Sequence, residues 1–367
     1  MGYIKNFFLL ALFAISILLI SQSILGIYSP LSTTSNTSKT GSVVYIENGV
    51  SGIVTITDPF LNKTTAINVI YYPLDSGSGF IVNKQGYLIT ALHVVGDLDA
   101  LNNQTIRKMD NNDVQRYLER AAVTEYLLKV NPQLDSEIDS KSNNSSSDAN
   151  STTALLSQRN LVSVNSAQQI IKIKFPDTAE ENLTASIVDV GNTNKDEDVA
   201  LLKINSNSNN YDSLSINSKN PSIFQSLSIY GYPVTNNTMY YNSTQSGIST
   251  SLSQGFVTSK TYKNGTNSEE FNSNLVYDNL VNFFMLIFNS QSTSNNTLYY
   301  GTNAKTAEGY SGGPVVDTQN NVIGILIFSV NSNSKLENEL KLTSSLFLSS
   351  KYIIDICKKN NVAVNTV

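Results

Sequence analysis

From Ser42 onward the apolar positions come in short β-branched and aromatic runs separated by Gly, Asn, Asp, Ser and Pro. The first group comprises Ser42–Ile46, Gly52–Thr57, Ala66–Tyr72, Gly79–Val82 and Tyr87–Leu92. After a long gap come Gln169–Phe175, Ala185–Val190 and Val199–Ile204, and then Ser226–Tyr230, Gly255–Ser259, Pro314–Val316 and Asn321–Phe328. Short runs between turn residues predict strands, and their close spacing predicts an all-β barrel or sandwich. Helical spacing interrupts the pattern twice. In Asp113–Val130, the positions Val114, Tyr117, Leu118, Ala121, Ala122 and Leu128 share one face and Pro132 supplies the stop; Leu346–Cys357 reads as a last helix before Lys358 and Lys359. Glu269–Phe288 fits a helix or a buried strand equally well, and the Ser/Asn-rich stretch 136–153 reads as a structureless excursion.

The N-terminal pattern is different in kind. Phe7–Ile20 is apolar apart from Ser16, and after Ser21, Gln22 and Ser23 the apolar character resumes as far as Ile27. The shorter stretch has the length of a secretory h-region, the longer one that of a membrane span. No A-x-A cleavage site follows, which favours an uncleaved anchor over residues 7–27. Lys5 keeps the N-terminus inside, so the rest of the chain is expected to face outward. Residues 28–41 then read as a stalk.

Composition sharpens this picture. With 24 Lys+Arg against 29 Asp+Glu the chain is mildly acidic and carries no basic stripe, which argues against nucleic acid as a partner. At 367 residues it can bury its own core without staples, and its single cysteine, Cys357, allows neither an internal disulfide nor a zinc site. No metal or other cofactor is expected. About one residue in eight is Asn, and eleven Asn-x-Ser/Thr acceptors between Asn36 and Asn295 fit an exported, glycosylated surface. The most restrictive count is one histidine, so any imidazole chemistry must run through His93.

Three segments carry candidate chemistry. GSGFIVNKQGYLITALHVV, beginning at Gly77, is a hairpin that delivers His93 at the end of its second strand. DEDVALLKI, beginning at Asp196, places Asp198 just before a buried strand. EGYSGGP, beginning at Glu308, sets Ser311 among glycines. A serine hydroxyl is a poor nucleophile until an imidazole takes its proton, and the imidazole needs a carboxylate to fix its tautomer and stabilise its charge. Glycines beside the serine let backbone N–H groups turn toward a developing oxyanion. Gly309-x-Ser311-x-Gly313 also matches the nucleophile elbow of the α/β-hydrolases, but that fold requires a histidine after the serine and none follows Ser311.

In these segments the chain resembles the trypsin-like serine endopeptidases, and within them the HtrA/Deg branch. The hairpin from Gly77, DVALLKI from Asp198, the YGYP turn from Tyr230, QGFVTS from Gln254 and the glycine-flanked Ser311 followed by Val322–Ile325 carry the likeness, from about Ser42 to Ser329. The resemblance implies two six-stranded antiparallel β-barrels with the site between them. The first would span 42–215 with an insertion at about 101–165, and the second 216–330 with an insertion at about 265–298, leaving 331–367 as a tail with a helix. It further implies His93 as general base, Asp198 as its orienting acid, Ser311 as nucleophile, and the N–H groups of Gly309 and Ser311 as the oxyanion hole. Polypeptides would be the substrates. The alternative on the same fold is an inactive module that binds peptides or proteins at the cell surface.

The departures from the family pattern also carry expectations. Tyr310 stands where the family has Asp or Asn, so no activation by pairing with a freshly cut N-terminus is expected. His93 and Asp198 are farther apart in sequence than is typical, and the tail is too short for the peptide-binding PDZ domain common in HtrA/Deg proteins. By spacing, Lys305 lies at the base of the primary pocket, with Ile327 and Phe328 in its wall. An inward Lys305 would favour acidic side chains, an outward one a small apolar pocket. Oligomeric state is not legible.

Overall fold

A computed structural model of the chain describes residues 41–58, 61–99, 105–130, 161–176, 183–208, 210–233, 250–263, 297–330 and 344–367. The 7–27 segment, nearly all of the stalk, the 136–153 excursion and Glu269–Phe288 lie outside them. Among the described residues no helix is long and apolar enough to cross a membrane.

The strands close into two six-stranded antiparallel barrels. The first is formed by β1 (Val43–Asp58), β2 (Lys63–Ile81), β3 (Tyr87–Thr90), β6 (Val162–Lys174), β7 (Leu183–Val190) and β8 (Ala200–Ile204), in the order β1-β2-β3-β8-β7-β6. The second is formed by β9 (Ser226–Gly231), β10 (Ser251–Lys263), β11 (Thr297–Thr302), β12 (Pro314–Val316), β13 (Val322–Val330) and β14 (Ser344–Ser349), in the order β10-β11-β14-β13-β12-β9. Between β3 and β6 lie the four-residue helix α1 (Leu92–Val95), the short ribbon β4 (Asp97–Asp99) and β5 (Thr105–Arg107), and helix α2 (Asn111–Val130). Helix α3 (Ser350–Lys359) follows β14.

Strands β1 and β2 are each one continuous element where the pattern predicts two. The break between the runs Ser42–Ile46 and Gly52–Thr57 holds Gly49, which reads as a turn residue, but the register shifts between Asn48 and Gly49 and between Val50 and Gly52 are bulges, which bend a strand without ending it. The bend lets β1 serve two cores. Val44 and Ile46 face the main core, whereas Val50, Val54 and Ile56 join Ile67 and Val69 in a second cluster capped by Val114, Leu118, Ala121 and Ala122 of α2. The insertion helix is therefore a lid on the barrel's hydrophobic end. Its first turn is pinned by Arg107, whose guanidinium donates to both carboxylate oxygens of Asp113 at 2.6 and 2.7 Å. Burial opposes the Asp113 charge, but the Arg107 bonds prevail and hold the carboxyl below its usual range.

The predicted tail needs correcting. Leu346–Leu348 belongs to β14, which pairs with both β11 and β13 and closes the second barrel, so that barrel extends past residue 330. The apolar run Leu346-Phe347-Leu348 is too short for its period to separate strand from helix, and the helix begins only after Ser349, whose hydroxyl accepts from the Lys351 N–H as its cap. Strand β11, wholly buried, was also hidden, since its start falls within the stretch read as the second insertion.

Helix α3 and the residues after it bind both halves. Asn360 donates to Asp189 of β7 at 2.7 Å and Lys359 pairs with the same carboxylate at 2.8 Å, while the Leu298 N–H of β11 donates to the Tyr352 hydroxyl. Residues 365–367 then bond with Ile216 and Ser218 in the segment joining the barrels.

Candidate active site

The hairpin β2–β3 and the α1 turn fix His93. Its backbone N–H donates to Asp198 Oδ1 at 3.0 Å, and its ring Nδ1–H donates to Asp198 Oδ2 at 2.7 Å. This two-point contact orients both the main chain and the imidazole, and among the described residues Nε2 has no hydrogen-bond partner. Asp198 is 5 % exposed and the His93 side chain 23 %. Loss of water around the ring works against its charged form. The Asp198 carboxylate, by charge and hydrogen bond, outweighs that loss, with Asp75 adding to it, and the imidazole pKa lies above its ordinary 6.5.

Asp198 owes its place to a tight loop. Asn192 caps a 3₁₀ turn at Thr193–Lys195, Asp196 takes a left-handed conformation (φ 56°), and the Asp198 N–H returns to the Asp196 carbonyl at 3.0 Å. The second barrel braces this loop: the hydroxyls of Thr297 and Tyr299 on β11 donate to the Lys195 and Asp196 carbonyls. Neither brace was foreseen, because only the closed fold brings β11 to residues roughly a hundred positions earlier.

Ser311 sits on the loop before β12, against the same hairpin. Its carbonyl accepts from the Ser78 N–H at 2.7 Å, and Gly312 packs against the Ser78 carbonyl, the Thr90 hydroxyl and the Ala91 N–H, two residues before His93. At Gly312, φ is +82° and a Cβ would lie 2.2 Å from the Ser78 oxygen, so only glycine fits. The Ser311 hydroxyl donates to the Ile327 carbonyl at 2.9 Å. It makes no hydrogen bond to His93.

Three backbone amides next to Gly309 and Ser311 are bonded. Tyr310 donates to Ala307 (3.2 Å), Gly312 to Leu326 (2.8 Å) and Gly313 to Tyr310 (2.9 Å). The N–H groups of Gly309 and Ser311 have no acceptor among the described residues. Tyr310 itself is buried and its hydroxyl donates to Ser251 at 2.7 Å, a neutral bond where an ion pair was excluded.

Around the predicted pocket, Lys305 is exposed, Ile327 is buried at 6 %, and Phe328 follows on β13. Asp75, on β2 two residues before Gly77, feels both His93 and Glu308. Exclusion of water around its carboxyl raises its pKa, Glu308 adds to the rise, and the Ser76 N–H and His93 oppose it. Among the described residues no group of His, Cys, Asp and Glu could hold a metal ion.

A family model for the trypsin-like peptidase domain matches residues 77–325, a span that contains His93, Asp198 and Ser311. The chain belongs to the trypsin-like peptidase family. The search of curated proteins returns no match. Among solved structures, the chain is similar to one described as "Crystal structure of Rv3671c protease, inactive form", with 12 % identity, 88 % of this chain and 89 % of that one covered, and a TM-score of 0.41.

Proposed function

We propose that this trypsin-like peptidase is an active serine endopeptidase that works outside the cytoplasm and hydrolyses polypeptides through His93, Asp198 and Ser311. The observation that carries the proposal is the pair of N–H groups without an acceptor among the described residues, Gly309 and Ser311, in a loop where the amides of Tyr310, Gly312 and Gly313 are all bonded, together with the Ser311 hydroxyl and a part-buried imidazole paired with a buried carboxylate.

For the reaction the Ser311 hydroxyl has to leave the Ile327 carbonyl and donate to His93 Nε2 once substrate is bound. Ser311 Oγ then attacks the scissile carbonyl carbon while its proton passes to Nε2. Asp198 keeps the Nδ1 proton and stabilises the imidazolium. The carbonyl oxygen, now anionic, accepts from Gly309 and Ser311, and each such donor contributes about 3 kcal/mol to the barrier reduction. Collapse breaks the C–N bond, the leaving amine takes the Nε2 proton, and the acyl group stays on Ser311 as an ester. Water, deprotonated by His93, repeats the sequence and releases the acid.

The exposed Lys305 and buried Ile327 support a primary pocket without a buried charge, suited to small apolar side chains. The apolar stretch over residues 7–27, with Lys5 before it, supports a membrane tether that leaves the barrels outside.

The test is labelling of the full-length chain by a fluorophosphonate between pH 5 and 9. The expected result is one label on Ser311, rising as His93 loses its proton, and none on a folded Ser311→Ala variant. A folded wild-type chain that takes no label overturns the proposal in favour of a binding module.

A further inference from the structure

The nucleophile loop is gripped by a residue of the opposite barrel with no part in proton transfer. Ser78, near the end of β2, is fully buried. Its hydroxyl donates to the Gly309 carbonyl at 2.6 Å and accepts from the Tyr232 N–H at 2.9 Å. Its N–H donates to the Ser311 carbonyl at 2.7 Å, and its own carbonyl accepts from the Thr90 hydroxyl at 2.7 Å. One residue thus bonds the carbonyls on either side of Tyr310, the end of β9 and the end of β3, just ahead of His93.

We propose that Ser78 is a positioning residue for the oxyanion hole, an inference that rests on the proteolytic reading above. The Gly309–Tyr310 peptide is held at both edges: Ser78 takes its carbonyl, and the Tyr310 N–H goes to Ala307 at 3.2 Å. Gly309 stands at φ +93°, where glycine alone is at ease and little in its own side chain resists rotation. The Gly309 N–H belongs to the preceding Glu308–Gly309 peptide, which pivots on the Gly309 Cα, and the two bonds to the peptide after Gly309 anchor that Cα. Without the Ser78 hydroxyl, the buried Gly309 carbonyl loses its donor, and the peptide turns to find another. That turn displaces the Gly309 Cα on which the Glu308–Gly309 peptide hangs, so the Gly309 N–H no longer meets the oxyanion. The loop as a whole stays docked, because the Tyr310–Ser251 bond and the Ser78 N–H to Ser311 bond do not involve that hydroxyl.

The experiment compares full-length wild type with Ser78→Ala and Ser78→Thr. Second-order fluorophosphonate labelling of Ser311 is expected to fall roughly 100-fold in Ser78→Ala, the scale of a lost oxyanion donor. The hydroxyl of Ser78→Thr is expected to restore most of that loss. Because His93 is the only histidine, its imidazole resonance reports the His93–Asp198 pair without ambiguity. That titration is expected to stay as in wild type, which a general loosening would not allow, while the melting temperature falls modestly because the Gly309 carbonyl and the Tyr232 N–H lose their partner. Labelling of Ser78→Ala within threefold of wild type overturns the proposal, as does a loss accompanied by a shifted His93 titration. If Ser78→Ala does not fold, Ser78→Cys, which keeps a side chain but weakens the donor, takes its place under the same criteria. A folded wild type that takes no label sinks the proteolytic reading and this inference with it, whereas a labelled wild type with an unimpaired Ser78→Ala sinks this inference alone.

Discussion

The two halves of the candidate site differ in what holds them. His93 and Asp198 both belong to the first barrel, and a charge-assisted contact between a buried carboxylate and an imidazole joins them directly at 2.7 Å. Ser311 and its two acceptor-free amides belong to the second barrel. That loop is held by neutral hydrogen bonds, from Ser78 across the interface and from Tyr310 to Ser251 within its own barrel. His93 is therefore set chiefly by a charged contact within one barrel, with the Thr297 and Tyr299 braces as the bonds across the seam on its half, and that contact survives small movements of the barrels. The Ser311 loop is set by directional bonds across the seam, which do not.

Breaking the charged half should have the largest effect. In Asp198→Asn the amide cannot stabilise the imidazolium and favours the wrong tautomer, so kcat/KM for a peptide substrate should fall about 10⁴-fold with the fold retained. A loss of less than tenfold would mean that Asp198 does not orient His93. Tyr310→Phe probes the neutral half more gently. It removes one hydroxyl bond of about 1 kcal/mol, and labelling of Ser311 should slow about fivefold while the His93 titration stays put. A Tyr310→Phe chain that shifts that titration would show that the two halves are not separately held.

The smallest effect sharpens the comparison through pH. His93 must be neutral to act as a base, so activity should rise with pH through a midpoint above 6.5. Because the folded-state pKa is raised, the His93–Asp198 pair contributes full stability below the unfolded value and loses it as pH rises through the folded one. Activity thus grows as that stabilisation fades. Asp75 helps to hold the pKa up, so Asp75→Asn should move the acid limb of kcat/KM to lower pH, without change at the plateau. A limb that does not move, or moves upward, would remove Asp75 from the electrostatics of the site.

The sequence made the chemistry legible where it is written in consecutive residues. The hairpin from Gly77 to Val95, the Asp198 strand and the glycines around Ser311 are local signals, and β12 lies at Pro314–Val316 as the pattern predicts. Tyr310 was visible as a departure, although not its bond to Ser251. What stayed hidden depends on partners distant in sequence. Ser78 lies inside a quoted motif, yet its contacts are with Gly309 and Tyr232, 231 and 154 residues away. The braces from Thr297 and Tyr299 are of the same kind. Strand β14 was missed because three apolar residues between serines carry no usable period, and barrel closure decides what local propensity cannot.

The strand order also sets a schedule during synthesis. All six strands of the first barrel lie between Val43 and Ile204, so that barrel, carrying His93 and Asp198, can close while the ribosome is still reading the remainder, although the Asp198 loop gains its braces only with β11. The second barrel cannot, because its sheet is completed only by Ser344–Ser349 and the segment joining the barrels is paired only by residues 365–367. Ser311 emerges well before the strand that completes its barrel. On the proposed reading the nascent chain would carry its base early and its nucleophile loop last, and activity would arrive only when translation has passed β14.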